Sequence, residues 1–347
     1  MKVSRFNWLL EIWKLVDKDP SETSIILHSG GASVSGMHVA ASRKLKLPLE
    51  KKITVNGEAL VGAMKLFPNN AELGFKDTGT SLVLSAKRRR VVLRRMLLGS
   101  PLRKSPDFKG KKFSAKVMRN AVPFLRSVVQ GGVMQPILTG IQFTPGKKKN
   151  RVILESTDAA HRTGRLTVQI PMTVKNQVVP AADLDQALSL MQTKLQMQFV
   201  NGAVEIGDGT TTIRISLLNG KFPDLSKLPL LKTFKNRILL SRSRLDNAVK
   251  AAALLDDDRL VSLVIKDGRA AWLIRGSERG GFREPIGKTD LEDIEIVFDS
   301  HWLDTAQDLG TDFMLVYKNS KAPVLFHTAN RLLWMSPIVK AMPTLDE

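Results

Sequence analysis

The chain has 347 residues, 43% of them apolar and 25% charged, with 53 Lys and Arg against 33 Asp and Glu for a formal net charge of +20. This is globular composition with room for two or three domains. The absence of cysteine excludes disulfides, a thiol nucleophile, a Cys-ligated zinc site and iron–sulfur clusters. No apolar run reaches the ~18 residues of a membrane-spanning helix. The start Met1-Lys2-Val3-Ser4 leads into an amphipathic stretch without a signal-peptide core, so a soluble cytoplasmic protein is expected. The positive excess points to a polyanionic partner, nucleic acid ahead of an anionic membrane.

In chain order the predicted elements repeat three times. The first copy has a strand at Ile53-Thr54-Val55-Asn56, a helix through Leu60 and Met64, then strands at Ala71 to Phe75 and Leu82 to Leu84. The second has Val178 to Pro180, a helix through Leu184 and Leu188, then Leu195 to Phe199 and Val204 to Ile206 across Asn201-Gly202. The third has Ile294 to Phe298, a helix through Leu303, then Phe313 to Tyr317 and Val324 to Phe326. The matching leucines Leu60, Leu184 and Leu303 are 124 and 119 residues apart. Ahead of each copy a serine precedes an amphipathic helix: Ser4 (Phe6, Leu9, Trp13), Ser114 (Val117, Phe124, Leu125, with Pro123 expected to bend or delay the helix) and Ser241 (Leu245, Ala248, Ala252). The serines are expected to act as N-caps. Asn201-Gly202, Asp208-Gly209 and Asp267-Gly268 mark hairpins. The expected fold is α+β: three repeated domains, 1–112, 113–235 and 236–347, each with antiparallel sheets and two helices on one face.

These segments carry net charges of +13, +9 and −2, so the chain is basic at one end and slightly acidic at the other. Catalytic signals are poor. The histidines His28, His38, His161, His301 and His327 are scattered, without a zinc-binding spacing, a nucleophile elbow or a Walker loop. Asp158, His161 and Arg162 lie close in sequence, and Asp256-Asp257-Asp258 offer oxygen ligands, but both read better as polar turns. No cofactor or metal is expected. Basic residues recur on the helices, with Lys14 and Lys18 on the first and Lys116, Arg119 and Arg126 on the one after Ser114. Lys65 lies at the end of the Leu60 helix, and Arg244 and Lys250 follow Ser241. These suit sequence-independent phosphate contacts. With one tyrosine and 6% aromatics, base stacking is not the design.

The segment Asn219-Gly220-Lys221-Phe222-Pro223-Asp224 resembles the Gly-(Lys/Arg)-Phe-Pro-Asp turn of bacterial sliding clamps, the DNA polymerase III beta-subunit family. Ile137-Leu138-Thr139-Gly140 and Thr157-Asp158 through His161-Arg162 resemble that family's Leu-x-Gly strand and Thr-Asp-Gly-His-Arg-Leu segment. The ending Trp334-Met335-Ser336-Pro337-Ile338 resembles its C-terminal strand. The likeness spans nearly the whole chain at low identity.

The resemblance implies a homodimeric ring of two head-to-tail protomers around duplex DNA, helices lining the hole. Polymerase and clamp-loader peptides would dock in an apolar cleft between the second and third domains, and no bond would be made or broken. Carried over, the cleft comprises Leu138, Thr157, His161, Arg162, Thr163, Pro229, Pro323, Met335, Pro337 and Ile338, with either Ala160 or His161 lining it. The dimer interface would join Arg88, Arg89, Arg90, Val91 and Leu93 to Leu254, Leu255, Asp256, Asp257 and Asp258. An arginine edge facing an aspartate edge attracts its partner and repels its like. Departures from the family are a short Asp17 to Ser21 loop, Thr163 in place of leucine, Ser336 in place of methionine, the tail 339–347 and the positive charge. They fit a divergent, phage-type clamp working in a bacterial cell or infected host. A nucleic-acid-processing enzyme built on Asp158, His161 and the 256–258 carboxylates, or an open DNA-binding scaffold, are the alternative readings.

Overall fold

The computed structural model describes residues 2–16, 23–36, 38–96, 108, 110–129, 135–275 and 279–338. The first third supplies α1 (Asn7–Leu15), β1 (Ser24–His28), β2 (Gly31–Ser35), β3 (Val39–Lys44), β4 (Ile53–Asn56), α2 (Gly57–Lys65), β5 (Gly74–Asp77), β6 (Ser81–Ala86) and β7 (Arg89–Arg94). The middle supplies β8 (Phe113–Ser114), α3 (Ala115–Val128), β9 (Gly140–Pro145), β10 (Arg151–Thr157), β11 (Arg162–Gln169), β12 (Gln177–Pro180), α4 (Ala181–Leu190), β13 (Lys194–Val200), β14 (Ala203–Gly207) and β15 (Thr211–Ser216). The last supplies β16 (Asn236–Ser241), α5 (Arg242–Leu255), β17 (Leu260–Lys266), β18 (Arg269–Arg275), β19 (Gly281–Lys288), β20 (Ile294–Asp299), α6 (Ser300–Asp304), β21 (Asp312–Tyr317), β22 (Val324–His327) and β23 (Arg331–Met335).

The repeat is real at the level of side chains. Leu60, Leu184 and Leu303 sit on α2, α4 and α6, each with 0% exposure, and burying such a side chain contributes roughly 1.5–3 kcal/mol. Asn201-Gly202 and Asp267-Gly268 both have positive φ at both residues, the backbone a tight two-residue hairpin needs. Neither the Ser4 nor the Ser241 side-chain cap forms. Ser4 lies inside a 3-10 turn, Val3–Phe6, and the Ser241 hydroxyl makes no cap bond although it occupies the N-cap position of α5. A backbone carbonyl does the work instead, in all three repeats. Ser4 N–H donates to Asn69 O at 2.9 Å, Ala115 N–H to Thr193 O at 2.8 Å and Arg242 N–H to Thr311 O at 2.8 Å. Side-chain caps occur on α2, where Asn56 accepts from Ala59 N–H, and on α6, where Asp299 accepts from His301 N–H. Pro123 lies on the exposed side of an α3 that runs on to Val128.

The chain forms two compact units, one of residues 1–119, 148–150 and 169–218, the other of 120–147, 151–168 and 219–347. In the first unit, an antiparallel sheet runs β4-β1-β2-β3-β15-β14-β13-β8. β3 pairs with β15 from Val39↔Ile215 to Arg43↔Thr211, so strands of the first and middle thirds share one sheet. A smaller sheet, β5-β6-β7, completes that unit. In the second unit, one sheet runs through β9-β10-β11-β23-β22-β21-β16, joined where β11 pairs with β23, Arg162↔Met335 to Leu166↔Arg331. Its companion runs β19-β18-β17-β20. The middle third is thus shared between units because its strands hydrogen-bond into both neighbours' sheets.

Candidate functional site

A cleft of about 210 Å³ opens in the second unit beside the β10–β11 turn. The turn is built on Asp158. Its Oδ1 accepts backbone N–H bonds from Ala160 (3.1 Å), His161 (2.7 Å) and Arg162 (2.8 Å), and its Oδ2 pairs with Arg162 Nε at 3.0 Å. Burial works against the carboxylate. The N–H donors of Arg162 and His161 and the Arg162 guanidinium outweigh it, so Asp158 titrates below its ordinary 3.8. Arg162 Nη1 also donates to Ser127 O (3.1 Å) and Thr305 Oγ1 (2.9 Å), tying the turn to α3 and the α6 end. Asp158 and Arg162 therefore hold the turn, their donors and acceptors committed to each other, to the turn's backbone and to Ser127 and Thr305. Within the turn Ala159 adopts a left-handed φ of 59°. Ala160 and His161 both line the cleft.

The opposite wall comes from the Phe222-Pro223-Asp224 turn. Asp224 Oδ1 accepts from Ser226 N–H at 3.0 Å and starts a short 3-10 turn, which brings Leu225 and Leu228 to the cleft. Phe234 anchors the segment in a buried cluster with Val316, Leu325 and Trp334, against which Leu228 packs. Trp334 Nε1–H donates to Pro229 O at 3.0 Å, and the Arg165 guanidinium lies 5.2 Å over the Trp334 ring. Of the residues anticipated from sequence, Thr157, His161, Arg162, Thr163, Pro323 and Met335 line the cleft. Leu138, Pro229, Pro337 and Ile338 do not. Leu138 is 3% exposed on a 3-10 turn, Pro229 contributes its carbonyl to Trp334, and Ile338 N–H bonds Val297 O beyond the cleft end. Met335 is 0% exposed, a floor rather than an exposed anchor.

The sequence reading missed Leu225, Leu228, Trp334 and Trp302. Trp302 stacks on His161 with ring centroids 3.9 Å apart and planes 16° apart. The signal for it was a large aromatic beside Leu303 on a helix too short to bury both.

The basic helix residues divide sharply. Arg119 is consumed internally: Nε donates to Leu188 O at 2.9 Å and Nη2 to Met191 O, closing the end of α4. Arg244 likewise donates to Pro285 O and Ile286 O. Both correct the reading of them as free phosphate contacts. A guanidinium beside orphan helix or strand carbonyls is satisfied there. Lys14 pairs with Glu11 (2.8 Å) and Lys250 with Asp246 (2.6 Å), both on exposed helix faces where such pairs are weak. Lys65, Lys116 and Arg126 are exposed. Lys18 lies outside the described residues.

The pleat likewise splits the arginine run of β7. Arg88 is in the turn, while Arg89 turns to the helix side and donates to Leu66 O at the end of α2. Arg90 points from the opposite face, and Leu93 is 7% exposed within its own sheet. In the acidic stretch, Asp256 Oδ2 accepts from Leu260 N–H at 2.7 Å, and Asp257 pairs with Arg279 at 3.2 Å. Asp256 therefore serves the turn, while Asp257 meets Arg279 in an exposed pair. Leu254, at 71% exposure, remains the outstanding apolar feature there, with Leu255 half-buried beside it. Among the described residues no cluster of three or more His, Asp or Glu is placed to hold a metal, and no helix is long and apolar enough to cross a membrane.

Residues 112–224 match the family model of the DNA polymerase III beta subunit, central domain. The whole chain has the bacterial sliding-clamp fold. It superposes on a sliding clamp from Bartonella birtlesii bound to griselimycin with TM-score 0.84 at 18% identity, covering 98% of each chain. A Pseudomonas aeruginosa sliding clamp gives 0.83 at 17% identity, with 98% of this chain and 99% of that one covered. A Helicobacter pylori beta clamp bound to a DNA ligase peptide gives 0.84 at 15%, again with 98% and 99%. No curated protein sequence matches the chain.

Proposed function

We propose that this chain is a DNA sliding clamp, a non-enzymatic processivity factor acting on DNA in the cytoplasm of a bacterial or phage-infected cell. The observation that carries the reading is the threefold repeat of one helix-pair-and-sheets unit, spread over a chain whose full length matches the clamp fold. Three domains, 1–112, 113–235 and 236–347, would contribute half a ring, and a second copy the other half. Lys65 and Lys116 would face the hole and meet phosphates, with Arg126, Lys14 and Lys250 adding to them once their own contacts open. The contacts carry no sequence information, and a ring needs none, because it is held by topology. A polymerase tethered to the ring rebinds its primer end at high effective concentration.

Partners would dock in the cleft lined by Leu225, Leu228, His161 and Trp334. Its mixture of apolar floor and polar rim suits an extended peptide with leucine or aromatic anchors. The clamps of similar fold that carry griselimycin or a DNA ligase peptide support this reading. Ring closure would use the free edge of β7, with Arg88 and Val91, against Leu254, Leu255 and Asp258 of a second copy. The test is solution mass. The chain should run as a dimer, twice 38.4 kDa, and Leu254→Asp should give monomers; a wild-type monomer at every concentration would contradict closure by this chain alone.

A further inference from the structure

The sheet β5-β6-β7 presents one face to the helices, and on its other face the central Val83 is buried while the positions around it are exposed or half-buried. Phe75 stacks on Phe6 at 5.6 Å, Leu82 and Leu84 are fully buried, and Arg89 reaches the end of α2. Side chains alternate across a strand, so the intervening residues stand on the face turned away from the helices. The register Ser81↔Arg94, Val83↔Val92, Ser85↔Arg90 and Lys76↔Val83 places Lys76, Arg90 and Arg94 on that face, around Ser81, Ser85 and Val92. The three cations are exposed, and Val92 is 55% exposed. Among the described residues none pairs with an acid, whereas Arg95, of the opposite parity to Arg94, is held by Asp77 at 3.4 Å. No outward position of this paired register is acidic.

We infer that this face binds the backbone of single-stranded nucleic acid, at a site separate from the helix faces. Three exposed cations of one sign, with no acid among the outward positions, make a local positive field, and an external polyanion is the chemistry that fits it. The face is about two strand spacings wide, roughly 10 Å, with Arg90 and Arg94 about 13 Å apart along β7. A rigid duplex touches a small three-stranded face along a line and reaches few of these groups. A flexible strand, advancing ~3.4 Å per nucleotide when stacked, passes Arg90 and Arg94 in about four steps. Ser81 and Ser85 add neutral donors between them, and Val92 lets a sugar or base edge rest on the sheet.

The probe is a labelled oligo(dT) of about 20 nucleotides, long enough for one such face. Its anisotropy is followed from low to moderate salt with the full-length chain. Charge reversal, K76E/R90E/R94E, should weaken binding by about ten-fold or more and flatten the log K against log salt slope by about 2, at ~0.7 per phosphate contact. K76A/R90A/R94A should show the same direction, and R90K/R94K should retain most of the affinity. If the reversal variant does not fold, the alanine variant gives the answer. Unchanged affinity and slope in the alanine variant overturn the proposal. So does polyglutamate binding to the same face as tightly as oligo(dT), which would make it a site for acidic polypeptides. The clamp reading is judged separately, by retention of the wild type on circular DNA. A negative oligo(dT) result with normal retention removes only the outer site, and a positive one without retention removes only the ring.

Discussion

His161 lies flat on Trp302, ring centroids 3.9 Å apart, so the one imidazole on the cleft rim is held by an indole that the cleft's own strands do not supply. Aromatic pairs of this kind contribute ~0.5–1.5 kcal/mol beyond area burial. Trp302→Ala should therefore weaken a leucine- and phenylalanine-containing cleft peptide by about three- to ten-fold, read by calorimetry. The melting temperature should change little, because Trp302 is half-buried on the five-residue helix α6.

Leu228 and Met335 should part company under the same substitution. Leu228 is half-buried at the cleft wall, so Leu228→Asp should abolish peptide binding and leave dimer mass and fold intact. Met335 is 0% exposed. Met335→Asp buries an unpaired carboxylate and should cost several kcal/mol of stability, visible as a large fall in melting temperature before any question of peptides arises.

Asp158 gives the cleft a pH dependence. Its folded carboxyl titrates below its ordinary 3.8, so its contribution to stability is fully present above that value. The contribution is lost as pH falls through the lowered folded value. Asp158→Asn should remove this acid-side loss and destabilise the protein near neutrality. Breaking a buried charge pair leaves Arg162 unpaired, at a cost of about 3–5 kcal/mol. Melting temperatures of both proteins from pH 3 to pH 7 (roughly spanning the carboxylate range) should converge at the acid end; parallel curves would show that Asp158 does not hold the turn.

Arg119 and Lys116 are near neighbours in sequence with opposite duties. Arg119→Ala strips α4 of its carbonyl partners and should lower the melting temperature while leaving the DNA salt slope unchanged. Lys116→Ala, combined with Lys65→Ala, should flatten the slope for duplex DNA by about 2, at ~0.9 per phosphate contact, without a stability cost. Reversed outcomes would exchange the roles assigned to the two residues.

The repeat, the buried leucines and the hairpins were legible because each is a local pattern: period, spacing, or a residue pair with a required φ. Thus Leu60, Leu184 and Leu303 located α2, α4 and α6 correctly. The serines marked helix starts within a few residues, but the bond that closes those starts comes from Asn69, Thr193 and Thr311, 65, 78 and 69 residues further along the chain. Such a bond leaves no trace in composition. The same limit applied to charge. Sequence shows that Arg89, Arg119 and Arg244 are cations, and only the tertiary fold shows that each is spent on a carbonyl. The cleft's polar rim was found through its motif, while Leu228 lies just beyond the Phe222-Pro223-Asp224 turn and Trp302 arrives from a segment with no motif of its own.

The most direct measurement is release on linearisation. The protein is loaded on nicked circular DNA at low salt, moved to salt high enough to screen ordinary phosphate contacts, and the circle is then cut once. A topological ring stays on the intact circle at that salt and leaves promptly when an end is made. Loss from the uncut circle at the same rate as from the linear form would mean that the chain holds DNA by charge alone, and would contradict the clamp.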